Sequence, residues 1–208
     1  MKKLFLASFA YKTLDKITVL LPDRPQNLTA AFIPTAADPY DNKGFAEVDR
    51  KKLVELGFSV RDIDIKSKTE HELEGLLQGA DLIAVAGGNT YYLLHHAQKS
   101  GFLKIAKTLI DKGVIYIGSS AGSILACPTI DVARLFDPPS IAPELQNYQG
   151  MNLVDFLVIP HFDKPRYLDR MRRTIEEWSK KNYHLFPLTD QQAIIVEENN
   201  YTLVEVNQ

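Results

Sequence analysis

Cysteine is almost absent from this chain, with Cys127 the only one. An intrachain disulfide is therefore excluded, and a cysteine-rich zinc site with it. Cys127 lies in an apolar stretch and reads as a small buried hydrophobe. An excess of one charge is also missing: Lys plus Arg number 24 against 26 Asp plus Glu, a net charge of −2. That balance argues against a nucleic-acid or membrane-surface protein, which would usually carry a basic excess. No apolar run approaches the ~20 residues needed to cross a bilayer. The N-terminal stretch Leu4–Ala10 is broken at Tyr11-Lys12 after about seven residues, the short limit for the apolar part of a signal peptide, and reads better as a first buried strand. The expectation is a cytoplasmic protein with neither nucleic-acid nor membrane partners.

What is present is ordinary for a globular chain: 208 residues, 45% of them apolar and 24% charged, a size that buries a substantial core as one domain spanning 1–208. Apolar strand-like runs alternate with longer amphipathic segments, the pattern of an α/β fold with a mainly parallel sheet. Strands are expected at Lys3–Ser8, Thr29–Pro34, Ser59–Ile65, Leu82–Ala86, Val114–Ile117 and Phe156–Ile159, and helices near 43–56, 69–78, 90–99 and 102–112. Near 165–180, Leu168, Met171, Ile175 and Trp178 recur at helical spacing and predict a buried stripe. Asp169/Arg173, Glu176/Lys180 and Glu177/Lys181 on its other faces are acid-to-base pairs at i,i+4. The C-terminus, Ala193–Val196 then Asn199-Asn200 then Thr202–Val206, reads as a hairpin at the sheet edge. From about 128 to 152 the pattern breaks down into a proline-containing loop too long for a simple connection, the kind of segment that often carries function.

The feature that carries most chemistry is Gly-Ser-Ser-Ala-Gly at 118–122, directly after the strand Val114–Ile117. Gly-x-Ser-x-Gly centred on Ser120 suits a sharp strand-to-helix turn that lifts one serine above the sheet in a strained backbone position. The segment Ser123–Ala126 can start a helix whose N-terminal N–H groups face an anion forming at the serine. A serine hydroxyl needs a base. Of the five histidines, His71 reads as a solvated helix residue, His95 and His96 as helix neighbours of which at most one can face a given site, and His184 as a surface residue. His161 follows Phe156–Ile159 through Pro160, at a strand's carboxyl end, where α/β sheets collect functional groups. A carboxylate should orient that imidazole. Asp137 is the expected one, with Asp131, Glu144, Asp163 and Asp190 left open. Gly87-Gly88 ends a strand and starts a helix, and the N–H groups of Gly88 and Ala121 would make a two-donor oxyanion site. Gly87-Gly88 lacks the spacing of a dinucleotide or P-loop phosphate turn.

With Gly-Gly-Asn-Thr at 87–90, Gly-Ser-Ser-Ala-Gly-Ser at 118–123 and Ile-Pro-His-Phe-Asp at 159–163, in this order, the chain resembles the peptidase E (dipeptidase E, cyanophycinase-related) serine peptidases over nearly its whole length. The resemblance implies a three-layer α/β fold, a mainly parallel sheet with helices on both faces, similar to class I glutamine amidotransferase (flavodoxin-like) domains but with serine at the nucleophile position. It implies Ser120 as nucleophile, His161 as base, Gly88 and Ala121 as oxyanion donors, and an acid on the loop between Ser120 and His161, where Asp137 is the best match and Asp131 its rival. It implies no metal and no organic cofactor, and a short peptide as substrate. The family's best-known activity is removal of an N-terminal aspartate from a dipeptide, read by a basic residue beyond the histidine. The Gly- and Glu-containing stretch that carries that residue is absent here, and Arg166, Arg170 and Arg173 on one helix face are the available substitutes, Arg166 and Arg170 foremost. An esterase or amidase on a small non-peptide substrate, and an impaired binding protein on the same scaffold, are the competing readings. A monomer and a homodimer fit the sequence equally.

Overall fold

The structure is a computed structural model and describes residues 1–206. Its strands are β1 (Lys3–Ala7), β2 (Thr29–Ile33), β3 (Ser59–Asp62), β4 (Leu82–Val85), β5 (Ile115–Ser119), β6 (Phe156–Ile159), β7 (His184–Pro187), β8 (Gln192–Glu197) and β9 (Asn200–Glu205). Its helices are α1 (Ala10–Thr13), α2 (Gly44–Leu56), α3 (Glu70–Leu77), α4 (Thr90–Lys99), α5 (Phe102–Asp111), α6 (Ala121–Ala126) and α7 (Leu168–Trp178).

Seven strands form one sheet in the order β3-β2-β4-β5-β1-β8-β9. The first five are parallel, and β8 and β9 add an antiparallel edge. Strand side chains alternate between faces, and the chain uses this to build two apolar layers. Leu4, Leu6, Ala31, Ile33, Ile83, Val85 and Tyr116 pack on one face with α3, α4, α5 and α6. Phe5, Ala7, Ala30, Phe32, Ala84, Ile115 and Ile117 pack on the other with α2 and with the segment Ala10–Leu20, where α1 passes into a 3₁₀ stretch. The result is the expected α/β three-layer fold with a mostly parallel central sheet.

The parallel pair β6–β7 stands outside the main sheet, yet Phe156, Leu157, Val158 and Ile159 belong to the same apolar layer as α6. Neither β7 nor the helical segment Ala10–Leu20 was expected. His-Leu-Phe-Pro is too short to show a period, and Pro187 argues against a central strand; β7 is tolerated because it has one neighbour only. The helix expected over 165–180 begins as a 3₁₀ turn at Pro165–Tyr167 before α7. Met171 and Trp178 are buried as expected, but Leu168 is 39% exposed and Thr174 lies inside instead. That shift follows from the late start of the helix, which leaves Leu168 on its first, uncovered turn. Glu176–Lys180 and Glu177–Lys181 pair at 3.6 and 3.2 Å. Asp169 and Arg173 form no ion pair among the described residues.

Candidate active site

The turn from β5 into α6 is shaped by contacts that permit no side chain at two positions. A Cβ on Gly118 would sit 2.6 Å from the carbonyl carbon of Gly122, and one on Gly122 would sit 2.2 Å from the Val85 carbonyl oxygen. These close approaches let β5 and α6 fold back on each other. The Ser123 hydroxyl donates to the carbonyls of Ala7 (2.8 Å) and Gly118 (2.9 Å), and the buried Tyr116 hydroxyl donates to Gly122 O (2.6 Å). Ser120 takes the strain, with φ 48° and ψ −106°, a conformation L-residues rarely adopt. It projects at the start of α6, where the Ala121 N–H has no intrahelical acceptor.

His161 also sits at positive φ, 67°. Its backbone N–H donates to Ser8 Oγ at 2.7 Å, which ties the residue after β6 to the end of β1. The Nε2 atom lies 3.0 Å from Ser120 Oγ. The Nδ1 atom lies 2.6 Å from Asp190 Oδ1. Asp190 is brought there by β7: Leu188 N–H donates to Ile159 O and Phe162 N–H to Leu188 O, both at 2.9 Å, which extends the β6–β7 pairing and sets the two loops side by side. The Asp190 carboxylate is 4% exposed and also accepts from Ser8 Oγ (3.1 Å) and Lys164 Nζ (2.7 Å). Its own N–H donates to Asp163 Oδ1 at 2.9 Å. Burial alone would raise its pKa, but the hydrogen bonds and charges of His161 and Lys164 outweigh that and hold it well below the usual carboxylate range.

The expected acid, Asp137, is elsewhere. Its Oδ2 accepts from Thr90 N–H (2.8 Å) and Thr90 Oγ1 (2.5 Å) at the start of α4, so in this geometry Asp190 and not Asp137 faces the imidazole. The 128–152 loop places Asp137 over α4, while the His161 ring turns its Nδ1 toward the β7–β8 connection. Asp131 is engaged by Arg134 and Tyr91, and Glu144 is exposed near His95. Asp163 supports Asp190 rather than the ring. Of the five histidines, His161 alone reaches Ser120: His71 and His184 are exposed, and His95 and His96 meet edge to face at 5.0 Å on α4.

Gly88, at φ 143°, lies so close to the loop after β2 that a Cβ would fall 2.0 Å from Ala36 O. Asn89 N–H donates to that same oxygen at 2.8 Å. The Gly87–Gly88 segment thereby runs beside the serine, a Cβ on Gly87 falling 3.3 Å from Ser120 Cβ. A cavity of about 650 Å³ opens over Ser120 and His161, with Gly88, Asp137, Arg166 and Arg170 among its walls. The Arg166 guanidinium stacks over the Tyr167 ring at 4.7 Å. Arg173 does not line the cavity.

Ser8, Lys164 and Asp49 were not singled out from the sequence. Asp49 also lines the cavity, buried at 4% exposure; its Oδ1 accepts from Tyr11 N–H at 2.7 Å and its Oδ2 has no partner. Desolvation pushes its pKa up to about 7. A polar residue on an amphipathic helix gives no sign that tertiary packing will bury it. Cys127 is fully buried, its thiol pushed up to about 12 by desolvation, as its apolar surroundings in the sequence suggested. Among the described residues no group of three or more His, Cys, Asp or Glu is arranged to hold a metal ion, and no helix is long and apolar enough to cross a membrane.

The sequence model of Peptidase family S51 matches residues 4–204. The chain belongs to peptidase family S51. Among its relatives, an uncharacterized peptidase of Listeria monocytogenes serovar 1/2a is 32% identical over 196 residues, covering 94% of this chain and 95% of that one. A peptidase E of Nostoc sp. is 36% identical over 132 residues, 64% of this chain and 51% of the relative. A 1.5 Å crystal structure of a protein from Listeria monocytogenes EGD-e, provisionally assigned to peptidase E, superposes with a TM-score of 0.92 at 30% identity over the whole of both chains. A peptidase from an acI-B1 actinobacterium shares the fold, with a TM-score of 0.70 at 17% identity over 99% of this chain and 88% of that one. The S51 chain is thus a peptidase.

Proposed function

We propose that this S51 peptidase hydrolyses short peptides through an acyl-enzyme on Ser120, with His161 as general base and Asp190 as the group that orients it. The observation that carries the reading is the continuous chain Ser120 Oγ–His161 Nε2 at 3.0 Å and His161 Nδ1–Asp190 Oδ1 at 2.6 Å. With Asp190 ionised, Nδ1 holds its proton toward the carboxylate and Nε2 is left as the acceptor facing the hydroxyl. As Oγ bonds to the scissile carbonyl carbon, its proton passes to Nε2. The carbonyl oxygen becomes an anion, which the N–H groups of Gly88 and Ala121 receive. The C–N bond then breaks, Nε2–H gives its proton to the leaving amine, and water repeats the sequence on the ester, restoring Ser120 and releasing the acid.

Peptide length follows from the cavity: about 650 Å³ lies within the ~300–1,000 Å³ of small-molecule sites and suits a few residues rather than a folded chain. Arg166 and Arg170, both on its wall, are the groups to receive a substrate carboxylate. A binding protein with a defective relay would lack the acid, and the 2.6 Å contact of Asp190 weighs against that reading. The test is intact-protein mass spectrometry after treatment with a fluorophosphonate. One adduct on the wild type, absent from Ser120→Ala and His161→Ala, is the expected result. An unmodified wild type that also leaves a dipeptide library intact would overturn the reading.

A further inference from the structure

Three separate stretches of chain supply Ser120, His161 and Asp190, and two consecutive residues at the end of β1 bond to all three. The Ala7 carbonyl accepts from the Ser120 N–H at 3.0 Å and from the Ser123 hydroxyl at 2.8 Å. The Ser8 N–H donates to Gln192 O at 3.2 Å, two residues past Asp190. The Ser8 hydroxyl completes the junction, accepting from His161 N–H at 2.7 Å and donating to Asp190 Oδ1 at 3.1 Å. Ser8 is fully buried and does not line the cavity over Ser120.

A hydroxyl has one proton and two lone pairs, so these two bonds decide how it is turned. With a lone pair facing the His161 N–H, its proton goes to Asp190 Oδ1. The ring atom Nδ1, 3.5 Å from Ser8 Oγ, keeps its own bond to Asp190. A closed circuit results: His161 N–H to Ser8, Ser8 O–H to Asp190, and Asp190 to Nδ1 of the same histidine. The circuit fixes the ring relative to the peptide unit that carries it. His161 needs that support, because φ 67° is uncommon outside glycine and persists only where the surroundings impose it. Removing Ser8 Oγ takes away the acceptor that holds the His161 backbone and a donor that holds the acid.

We propose that Ser8 is a positioning residue for the reaction: its hydroxyl sets His161 and Asp190 relative to each other and keeps Nε2 aimed at Ser120 Oγ. The inference rests on the Ser120 acyl-enzyme reading above. A side chain that only fills space at this junction is replaceable by any small group. One that positions the base and the acid is replaceable only by another hydroxyl.

The test is the rate at which a fluorophosphonate labels Ser120, a step in which Oγ bonds to phosphorus, fluoride leaves and His161 takes the serine proton. Intact-protein mass spectrometry follows it on wild type, Ser8→Ala and Ser8→Thr, each beside a thermal melt. Ser8→Ala should label about 10- to 100-fold more slowly, the span of one hydrogen bond to a charged group. Ser8→Thr keeps the hydroxyl and should stay within about threefold of wild type. Ser8→Cys, close to serine in size but a weak donor and acceptor, takes the place of the Ala variant should that one not fold, with the same slowing expected. A folded Ala or Cys variant that labels at the wild-type rate, or a folded Thr variant as slow as they are, overturns the proposal and leaves Ser8 to packing alone. Wild type separates the two failures: Ser120 labelled equally fast with and without the Ser8 hydroxyl sinks this inference only, whereas Ser120 unlabelled in wild type sinks the acyl-enzyme reading and this one together.

Discussion

His161 Nδ1 and Asp190 Oδ1 are 2.6 Å apart although 29 residues separate them, and the whole of α7 and β7 lies between. The contact exists because β7 pairs in parallel with β6 and returns the chain to the end of the strand that carries His161. Asp190→Asn should leave the fold intact and lower kcat by about 10³- to 10⁴-fold, because an amide favours the wrong imidazole tautomer. Steady-state kinetics beside a thermal melt checks this; a loss under tenfold would remove Asp190 from the relay.

The layers of this fold were legible because they rest on local pattern. The apolar runs Leu82–Val85, Phe156–Ile159 and Ala193–Val196 are visible as strands before any contact is known. Ser120 and His161 were legible for a related reason, since each sits next to a strand end. The acid was not. Choosing among Asp137, Asp163 and Asp190 requires knowing that His-Leu-Phe-Pro at 184–187 pairs with β6, and four residues ending in proline carry no period from which to infer it. Ser8 and Lys164 were missed likewise, because their roles are contacts with Asp190 and nothing beside them in the chain suggests a site.

Lys164 sets how much of the Asp190 charge His161 receives. Its Nζ is 2.7 Å from Oδ2, the oxygen turned away from the ring, and helps to hold the carboxylate ionised. Lys164→Met removes a cation that holds the Asp190 carboxylate ionised, so that carboxylate takes up a proton at higher pH. The acid limb of the kcat/KM–pH profile should therefore move to higher pH, with KM for a neutral dipeptide changed less than kcat. An unmoved acid limb would reduce Lys164 to a surface contact.

Asp49 should make stability fall as pH rises. Its folded pKa is raised to about 7 from an ordinary 3.8, so between those values the folded state holds a proton that the unfolded state has lost. Stability then declines across about pH 4–7 and levels off above it. Asp49→Asn removes this dependence while keeping an acceptor for Tyr11 N–H. Relative to wild type, the variant should gain stability from pH 4 to pH 8, by on the order of 2–4 kcal/mol at most. Urea melts at the two pH values measure it. A difference that stays constant would show that Asp49 is ionised in the fold.

Glycines separate positions held by packing from positions that are merely tolerated. At Gly122 an added Cβ would lie 2.2 Å from Val85 O, a backbone atom of β4 that cannot move without breaking the sheet. Gly122→Ala should destabilise by about 2–4 kcal/mol, in the upper range for a single overpacked site, and should reduce Ser120 labelling because α6 starts at the serine. Gly75 is the contrast, since it sits inside α3 and a Cβ there meets nothing within 4 Å. Gly75→Ala should stabilise by about 0.5–1 kcal/mol through helix propensity alone, with Ser120 labelling unchanged. Denaturant melts and fluorophosphonate labelling on both variants test the pair. Equal effects at the two positions would mean that the β5–α6 turn is not held by the Gly122–Val85 contact.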